Sequence, residues 1–287
     1  MRMATPSIAV LASRMRYEEK QIFAALERRN VAHVPVDPRE LSLLGGARWA
    51  GPRLVINREI GHFRALYAAG ALESAGATVV NRADTTRISG DKWHTTAALL
   101  NSGLPTPRTA LAMTPEAALP TLEELGYPAV IKPLVGSWGR LVGRLPDAGV
   151  ATTVLEHVAA LPSPQSQLIY LQELVAKAAR DLRVIVVGGE ALGATWRRAA
   201  DWRANVARGA VSERCPLATE HAELAVAAAA AVGADIAGVD LIEAADGELT
   251  VLEVNDRVEF RGFQEAHGQE VGVAEAIVSH ALSKVPS

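Results

Sequence analysis

The chain has 287 residues, and 49% of them are hydrophobic, which is typical of a globular protein with a large buried core. The formal net charge of −3 argues against a nucleic-acid-binding surface spread over the whole molecule. No apolar run approaches the ~20 residues of a membrane span, and arginines closely follow the short apolar stretch near the N-terminus, which favours a buried strand over a secretory signal. The single cysteine, Cys215, excludes an internal disulfide, so we expect a cytoplasmic protein.

The first 81 residues alternate short apolar runs with amphipathic segments. Strands are predicted at 7–12, 31–36, 54–56 and 78–81, and helices at 17–29 and 63–75. This β-α-β alternation predicts a small open α/β sheet.

The pattern changes after residue 82. Helices are predicted at 91–101, 115–125, 222–232 and 273–282, and strands at 129–133, 168–174, 182–187, 236–242 and 249–254. The GGE sequence at 188–190 and the DG sequence at 246–247 predict hairpin turns.

Oxygen-bearing side chains interrupt the last two predicted strands. Asp240 ends AGVD, and Glu253 and Asn255 lie across the DG hairpin from it. Residues two apart on a strand share a face, so we expect the three side chains to converge. Magnesium takes oxygen ligands and relies on few carboxylates plus substrate phosphates, so the trio indicates a magnesium site. The alternative is that they are solvated strand ends and a turn residue.

Two lysines and a glycine-bearing loop suggest phosphate binding. Lys132 ends the strand AVIKP, and the loop VGSWGR at 135–140 follows directly. Glycines let main-chain N–H groups approach phosphate oxygens, and the lysine adds a point charge. The alternative is a strand-end lysine before an ordinary tight turn. Lys92, in SGDKW at a helix start, would by itself be an ordinary surface lysine.

Arginines concentrate in ATWRRAADWRANVARGA, residues 194–210. Their guanidinium groups fit carboxylates and phosphates bidentately. Such runs can also be a solvated hairpin face. The candidate cations are Arg197, Arg198, Arg203 and Arg208.

These motifs together carry a family resemblance. The chain resembles the RimK-type ATP-grasp ligases, and most closely those that load an amino acid onto a small acidic amino-group carrier protein in lysine and arginine biosynthesis. The resemblance rests on GDKW, VIKPLVGSWGR, YLQELV, RDLRV, WRRAADWRANVARGA, AGVDL and LEVNDRVEF, which occur in the family's order.

The resemblance implies an α/β ATP-grasp fold. It implies an N-terminal pre-ATP-grasp domain at 1–87 and an ATP-grasp domain at 88–287, with a lid subdomain at about 105–172 and a C-terminal α+β subdomain. It also implies that ATP, with Mg²⁺ or alternatively Mn²⁺, phosphorylates a carboxylate, and that an amine then attacks the acyl phosphate. The protein mainly positions the reactants and neutralises charge.

The resemblance also assigns roles by position. Phosphate and nucleotide contacts fall on Lys92, Lys132, Gly136, Ser137, Trp138, Gly139, Arg140, Glu173, Leu174, Asp181 and Arg198. Catalytic contacts fall on Arg203, Asn205, Arg208 and Glu259. The metal ligands are Asp240, Glu253 and Asn255, and the amino-acid substrate falls to Arg197, Arg257, Gly262 and Phe263.

Gly262-Phe263 resembles the pair of the glutamate-using enzymes, whereas 2-aminoadipate-using relatives carry Asn-Thr or similar. Phe263 would shorten the pocket by one methylene, which favours glutamate; alternatively it is a core aromatic. Asp256 departs from the family's EVNH, so this carboxylate either alters substrate preference or faces solvent.

Three alternatives stay open beside a glutamate–carrier ligase. One is the same enzyme with 2-aminoadipate, another a ligase that extends a different protein tail or a peptide, and the third a non-catalytic ATP-binding protein. The predicted partners are the acidic carrier, the amino acid and further copies of this chain as a dimer or tetramer, with no nucleic acid and no membrane. Arg14 and Arg16 follow the first strand, where we expect them to meet the carrier's tail.

Overall fold

The computed structural model describes residues 7–136, 140–176, 180–198, 211–245, 247–268 and 270–284. The N-terminal part is a parallel four-stranded sheet in the order β2-β1-β3-β4, as the β-α-β pattern predicts. Its elements are β1 Ser7–Leu11, α1 Tyr17–Arg28, β2 Ala32–Val36, β3 Leu54–Asn57, α2 His62–Ser74 and β4 Thr78–Val80. Parallel strands place the loops after β1 and β3 at the same edge of the sheet, where Ser13 N–H donates to Glu59 at 2.9 Å.

Two helices lead into a small antiparallel sheet in the order β5-β8-β6-β7. The elements are α3 Ala83–Ser89, α4 Lys92–Asn101, β5 Thr109–Ala112, α5 Pro115–Leu125, β6 Ala129–Lys132, β7 Gly143–Leu145, α6 Ala148–Ala159, a 3₁₀ turn at Pro164–Gln167 and β8 Ile169–Glu173. Thr114 caps α5 by accepting from Ala117 N–H at 3.2 Å. Helices α5 and α6 share an apolar core with the sheet.

The third sheet is antiparallel, in the order β11-β10-β9-β12-β13. Its elements are β9 Arg180–Val187, β10 Glu190–Arg198, β11 Val211–Cys215, α7 Thr219–Ala231, β12 Ile236–Glu243 and β13 Leu249–Asn255, followed by α8 Arg261–His267 and α9 Val273–Ser283. Gly188 and Gly189 both have positive φ, as a two-residue hairpin turn between right-twisted strands requires.

The main apolar core joins the first and last parts of the chain. Ile22 and Leu26 of α1 pack in one cluster with Ile277 and Val278 of α9. The α/β architecture predicted from the sequence is therefore confirmed. None of the helices in the described ranges is long and apolar enough to cross a membrane.

Several of the helices and strands that the structure contains were not predicted from the sequence. Helix α6 is rich in β-branched residues, which lower helix propensity, but Asp147 caps it by accepting from Val150 N–H at 2.9 Å. Helix α8 is short and contains Gly262, which obscures its period. Strands β7 and β11 are three and five residues long, too short for a clear alternation.

Candidate functional site

A cleft of about 780 Å³ lies where the three sheets meet. Its size falls in the range of small-molecule sites. The predicted residues that line it are Lys92, Lys132, Gly136, Arg140, Glu173, Leu174, Asp181, Arg197, Asp240, Glu253, Asn255, Arg257, Glu259, Gly262 and Phe263. Ser137, Trp138, Gly139, Arg203, Asn205 and Arg208 lie outside the described residues.

The three predicted metal ligands share one face of the central sheet. Asp240 of β12 is directly opposite Glu253 of β13, and Asn255 is opposite Gly238. The amide nitrogen of Asn255 lies 3.5 Å from Asp240 Oδ2. The expected convergence of the three side chains is therefore present, because the hairpin fixes their register.

Two arginines hold Asp240, Arg183 from the adjacent strand β9 and Arg197 from β10, one strand further away. Arg183 donates from Nε and Nη2 to its two carboxylate oxygens at 2.7 and 2.8 Å, and Arg197 Nη2 lies 3.0 Å from Oδ2. Burial alone would raise the pKa of Asp240, but the two guanidinium groups outweigh it and hold that pKa below its ordinary value. Asp240 is thus held as a carboxylate.

Arg197 has two carboxylate partners in the base of the cleft. Its Nε donates to Asp181 Oδ1 at 2.7 Å, in addition to its contact with Asp240, and Arg197 is only 4% exposed. Burial would lower its pKa, but the two carboxylates raise the pKa above its ordinary value. Arg197 and Asp181 are therefore placed in the cleft as predicted, but as each other's partners.

The donor set suits magnesium. It offers two carboxylates and one amide from adjacent strands, and carboxylate oxygens bound to arginine keep further lone pairs. No cluster of three or more His, Cys, Asp or Glu side chains suited to a metal occurs in the described ranges. Mg²⁺ keeps several waters and shares substrate phosphates, so two carboxylates and one amide are a suitable protein contribution for it.

The two lysines predicted to contact phosphate both line the cleft. Lys92 Nζ donates to the carbonyl oxygen of Gly136 at 2.9 Å, and Lys132 Nζ donates to Gln172 Oε1. Asp91 fixes the start of α4 by accepting from the N–H groups of Trp93 and His94, which places Lys92 at the cleft. Both ammonium groups therefore lie in the cleft that also holds the acidic trio.

Glu173 and Leu174, predicted to contact the nucleotide, lie at the end of β8 and line the cleft. Glu173 accepts from Arg108 N–H at 2.8 Å through Oε1, and Leu174 N–H donates to the carbonyl oxygen of Pro128 at 3.2 Å. These bonds fix the segment, because they tie β8 to the strands on either side of it.

Arg198, predicted to contact the nucleotide, is not among the residues that line the cleft. Adjacent strand residues point to opposite faces, so Arg197 faces the cleft and Arg198 faces away. Arg198 pairs instead with Glu213 of the neighbouring strand at 2.7 Å, and both side chains are about half exposed, at 53% and 47%.

The segment after β13 carries the predicted amino-acid contacts. Arg257 Nη1 donates to Asp256 Oδ2 at 2.7 Å, and Glu259 accepts from Arg16 Nη1 at 3.1 Å. Asp256 is 4% exposed and also accepts from the Thr86 hydroxyl at 2.8 Å, so it does not face solvent. It orients Arg257 at the cleft wall.

Phe263 is mainly a core aromatic, the alternative raised from the sequence. It is 3% exposed, belongs to the main apolar cluster and stacks on His267 with ring centroids 4.2 Å apart. A Cβ placed on Gly193 would lie 2.9 Å from its ring. Phe263 contributes an edge to the cleft and is locked by its packing.

Residues of the N-terminal part, which the sequence analysis did not identify, hold the segment after β13 in place. Glu18 Oε1 accepts from Phe260 N–H and Arg261 N–H, both at 3.1 Å, and Arg58 Nη2 donates to Val258 O at 2.9 Å. These partners are 200 or more positions apart in the chain. No pattern within a short stretch of sequence links these partners. The sequence shows only that acidic residues lie in the first turn of α1.

Arg16 reaches the cleft as expected from its position after the first strand. Its guanidinium group pairs with buried Glu19 at 2.8 Å, which also accepts from Arg58 at 3.2 Å. Burial would raise the pKa of Glu19, but the bond from Arg16 and the charge of Arg58 hold it below its ordinary value. Arg14 is exposed and is not among the residues that line the cleft.

Comparisons with known proteins agree with this architecture. Residues 8–88 match the model of the LysX preATP-grasp domain, and residues 89–280 match that of the RimK-like ATP-grasp domain. The glutamate–LysW ligase ArgX of Sulfolobus acidocaldarius is 33% identical over 275 residues, which cover 95% of this chain and 97% of the relative. The alpha-aminoadipate–LysW ligase LysX of the same organism is 31% identical and covers 86% and 91%.

A solved structure shares the whole arrangement. The RimK domain ATP-grasp protein of Sphaerobacter thermophilus superposes with a TM-score of 0.78 at 26% identity, over 96% of this chain and 99% of that one.

Proposed function

The chain belongs to the RimK-like ATP-grasp family of ATP-dependent ligases that form carbon–nitrogen bonds, and we propose that it joins glutamate to the C-terminal glutamate of an amino-group carrier protein. The observation that supports this most is the cleft that Asp240, Glu253 and Asn255 line together with two lysines. Such a site suits a triphosphate with a divalent cation, and the family uses ATP.

In this proposal the γ-phosphoryl group of ATP passes to an oxygen of the side-chain carboxylate of the carrier's C-terminal glutamate. The α-amine of glutamate then attacks the carbonyl carbon, inorganic phosphate leaves, and an amide forms. A bound Mg²⁺ would supply positive charge between Asp240, Glu253 and Asn255 and the phosphates. Lys92 and Lys132, which line the same cleft, would add further positive charge.

The remaining residues fix Asp240 and would contact the amino-acid substrate. Asp181, Arg183 and Arg197 keep the Asp240 carboxylate fixed, so that little reorganisation is needed when substrates bind. Glu259 lies at the cleft with an exposed carboxylate and would take the proton of the substrate ammonium. Arg257, oriented by Asp256, would bind a substrate carboxylate.

The partner would be a small acidic carrier protein like the LysW that the two similar ligases act on. The identity of the loaded amino acid is the finer part of the proposal. Glutamate is favoured by the Gly262-Phe263 pair and by the similarity to ArgX; 2-aminoadipate is the second candidate because LysX is also similar. We further propose a cytoplasmic homo-oligomer with domains at 1–87 and 88–287.

The test is ligation of purified carrier. LysW of Sulfolobus acidocaldarius, ATP and Mg²⁺ are incubated with the enzyme and either glutamate or 2-aminoadipate. Intact-protein mass is expected to rise by one glutamate residue, with one ADP released for each carrier loaded. A carrier mass that stays constant with both amino acids, while ATP is hydrolysed, contradicts a carrier-loading function.

A further inference from the structure

Two residues on neighbouring elements share one small volume at the cleft wall. A Cβ placed on Gly262 of α8 would lie 2.6 Å from Ser212 Oγ and 3.2 Å from Ser212 Cβ, so the Ser212 hydroxyl could not keep its present position and its Cβ would also have to give way. Both residues line the cleft. A side chain at position 262 and a hydroxyl at position 212 therefore exclude each other.

The backbone does not require glycine at position 262. Its φ is not in the left-handed region, and the residue lies inside the helix Arg261–His267, where glycine costs about 1 kcal/mol relative to alanine. The close approach of Ser212 is thus the feature of this site that demands it.

The same wall contains Phe263, but Phe263 has no room to adjust. It is packed between His267 and Gly193 and is almost completely buried. Ser212 lies on β11, directly opposite Arg197 of β10, so its side chain faces the charged base of the cleft. The adjustable part of the wall is therefore the pair at positions 212 and 262.

We propose that Ser212 is a specificity-determining residue, which with Gly262 limits the length of the amino-acid side chain that the cleft accepts. This inference rests on the proposed function, because it concerns the amino acid that the ligase loads. The hydroxymethyl group of Ser212 occupies the space that one further methylene of a longer substrate would need.

The experiment grades the size of position 212 and combines it with position 262. Ser212→Gly, Ser212→Ala and Ser212→Thr are compared with wild type, and Gly262→Ala is made alone and together with Ser212→Gly. Each protein is assayed with glutamate and with 2-aminoadipate on LysW of Sulfolobus acidocaldarius, and its melting temperature is measured.

We expect the ratio of kcat/KM for glutamate over 2-aminoadipate to fall about 10-fold in Ser212→Gly, less in Ser212→Ala, and to rise in Ser212→Thr. One methylene is worth roughly 10–200-fold in such pockets. Gly262→Ala alone should lower the melting temperature and the activity with both amino acids. Adding Ser212→Gly should restore the melting temperature and return the ratio towards that of wild type.

Two results overturn the inference while the ligase assignment stands. One is an unchanged amino-acid ratio across an active position-212 series. The other is a Gly262→Ala effect on melting temperature that is the same with serine or glycine at position 212. If wild type loads neither amino acid, the proposed function fails and the specificity role fails with it; the melting-temperature cycle then reports only the packing contact.

Discussion

Replacing Glu18 with alanine tests whether helix α1 of the N-terminal part positions the segment that follows β13. Glu18 is 4% exposed, and its carboxylate accepts from two main-chain N–H groups at the start of α8, those of Phe260 and Arg261. A helix start leaves such donors without intrahelical partners, so Glu18 acts as a cap supplied from a distant part of the chain. In Glu18→Ala both donors lose this acceptor.

The expected cost follows from the burial of the two donors. A buried donor left unpaired costs about 1–3 kcal/mol, and Phe260 is almost completely buried while Arg261 is partly exposed. The sum is about 2–4 kcal/mol, which corresponds to a fall in melting temperature of roughly 3–7 °C for a chain of this size. Because α8 carries Gly262 and Phe263, we also expect the KM for the amino acid to rise at least about 10-fold.

The assay compares the melting temperature with separate KM values for the amino acid and for ATP. Glu18→Gln keeps an acceptor oxygen and should lose about half as much, whereas Glu27→Ala changes an exposed glutamate of the same helix and should stay within ~0.5 kcal/mol of wild type. A Glu18→Ala enzyme with wild-type melting temperature and wild-type amino-acid KM would refute the capping role. An equal rise in both KM values would show that the contact does not act on α8 selectively.

Three further predictions concern the cleft. Glu253→Gln should abolish ligation while leaving the melting temperature near that of wild type; near-normal turnover would remove Glu253 from the site. The KM for the carrier should rise with ionic strength more than the KM for ATP, because exposed Arg14 and the cleft residue Arg16 would steer an acidic tail through charges that salt screens; a carrier KM that is indifferent to salt contradicts this. The folded-state pKa of Glu19 lies below its ordinary value of 4.5, so its contribution to stability is complete above that pH and is lost as the pH falls through the lowered pKa. Melting temperatures measured from pH 7 to pH 3 should therefore fall less steeply in Glu19→Gln than in wild type. Parallel curves for the two proteins would contradict this.

Local patterns were sufficient wherever the relevant partners are close in the sequence. The hairpin between β12 and β13 fixes Asp240 opposite Glu253, and two positive-φ glycines fix the turn between β9 and β10. The β-α-β alternation also predicts the parallel N-terminal sheet. In each case the periodicity of one or two adjacent elements carries the information.

The sequence could not assign which face of a strand meets the cleft. Arg197 and Arg198 are adjacent and chemically alike, yet only Arg197 lies in the cleft among carboxylates, while Arg198 pairs with Glu213 at the surface. A period of two separates the faces without stating which is buried, and the pairing of β10 with its neighbours decides that.

By itself the sequence determined the α/β alternation of the N-terminal part and the register that brings Asp240, Glu253 and Asn255 together, because these follow from periods and turns within short stretches. The ATP-grasp fold class came instead from the resemblance of ordered motifs to a known family. Only the tertiary structure decided that Asp256 is buried against Thr86 and Arg257, that Glu18 caps α8 from 242 residues away, and that Ser212 meets Gly262. These contacts join surfaces from separate elements, and their geometry is fixed by how whole sheets and helices pack, which no local pattern encodes.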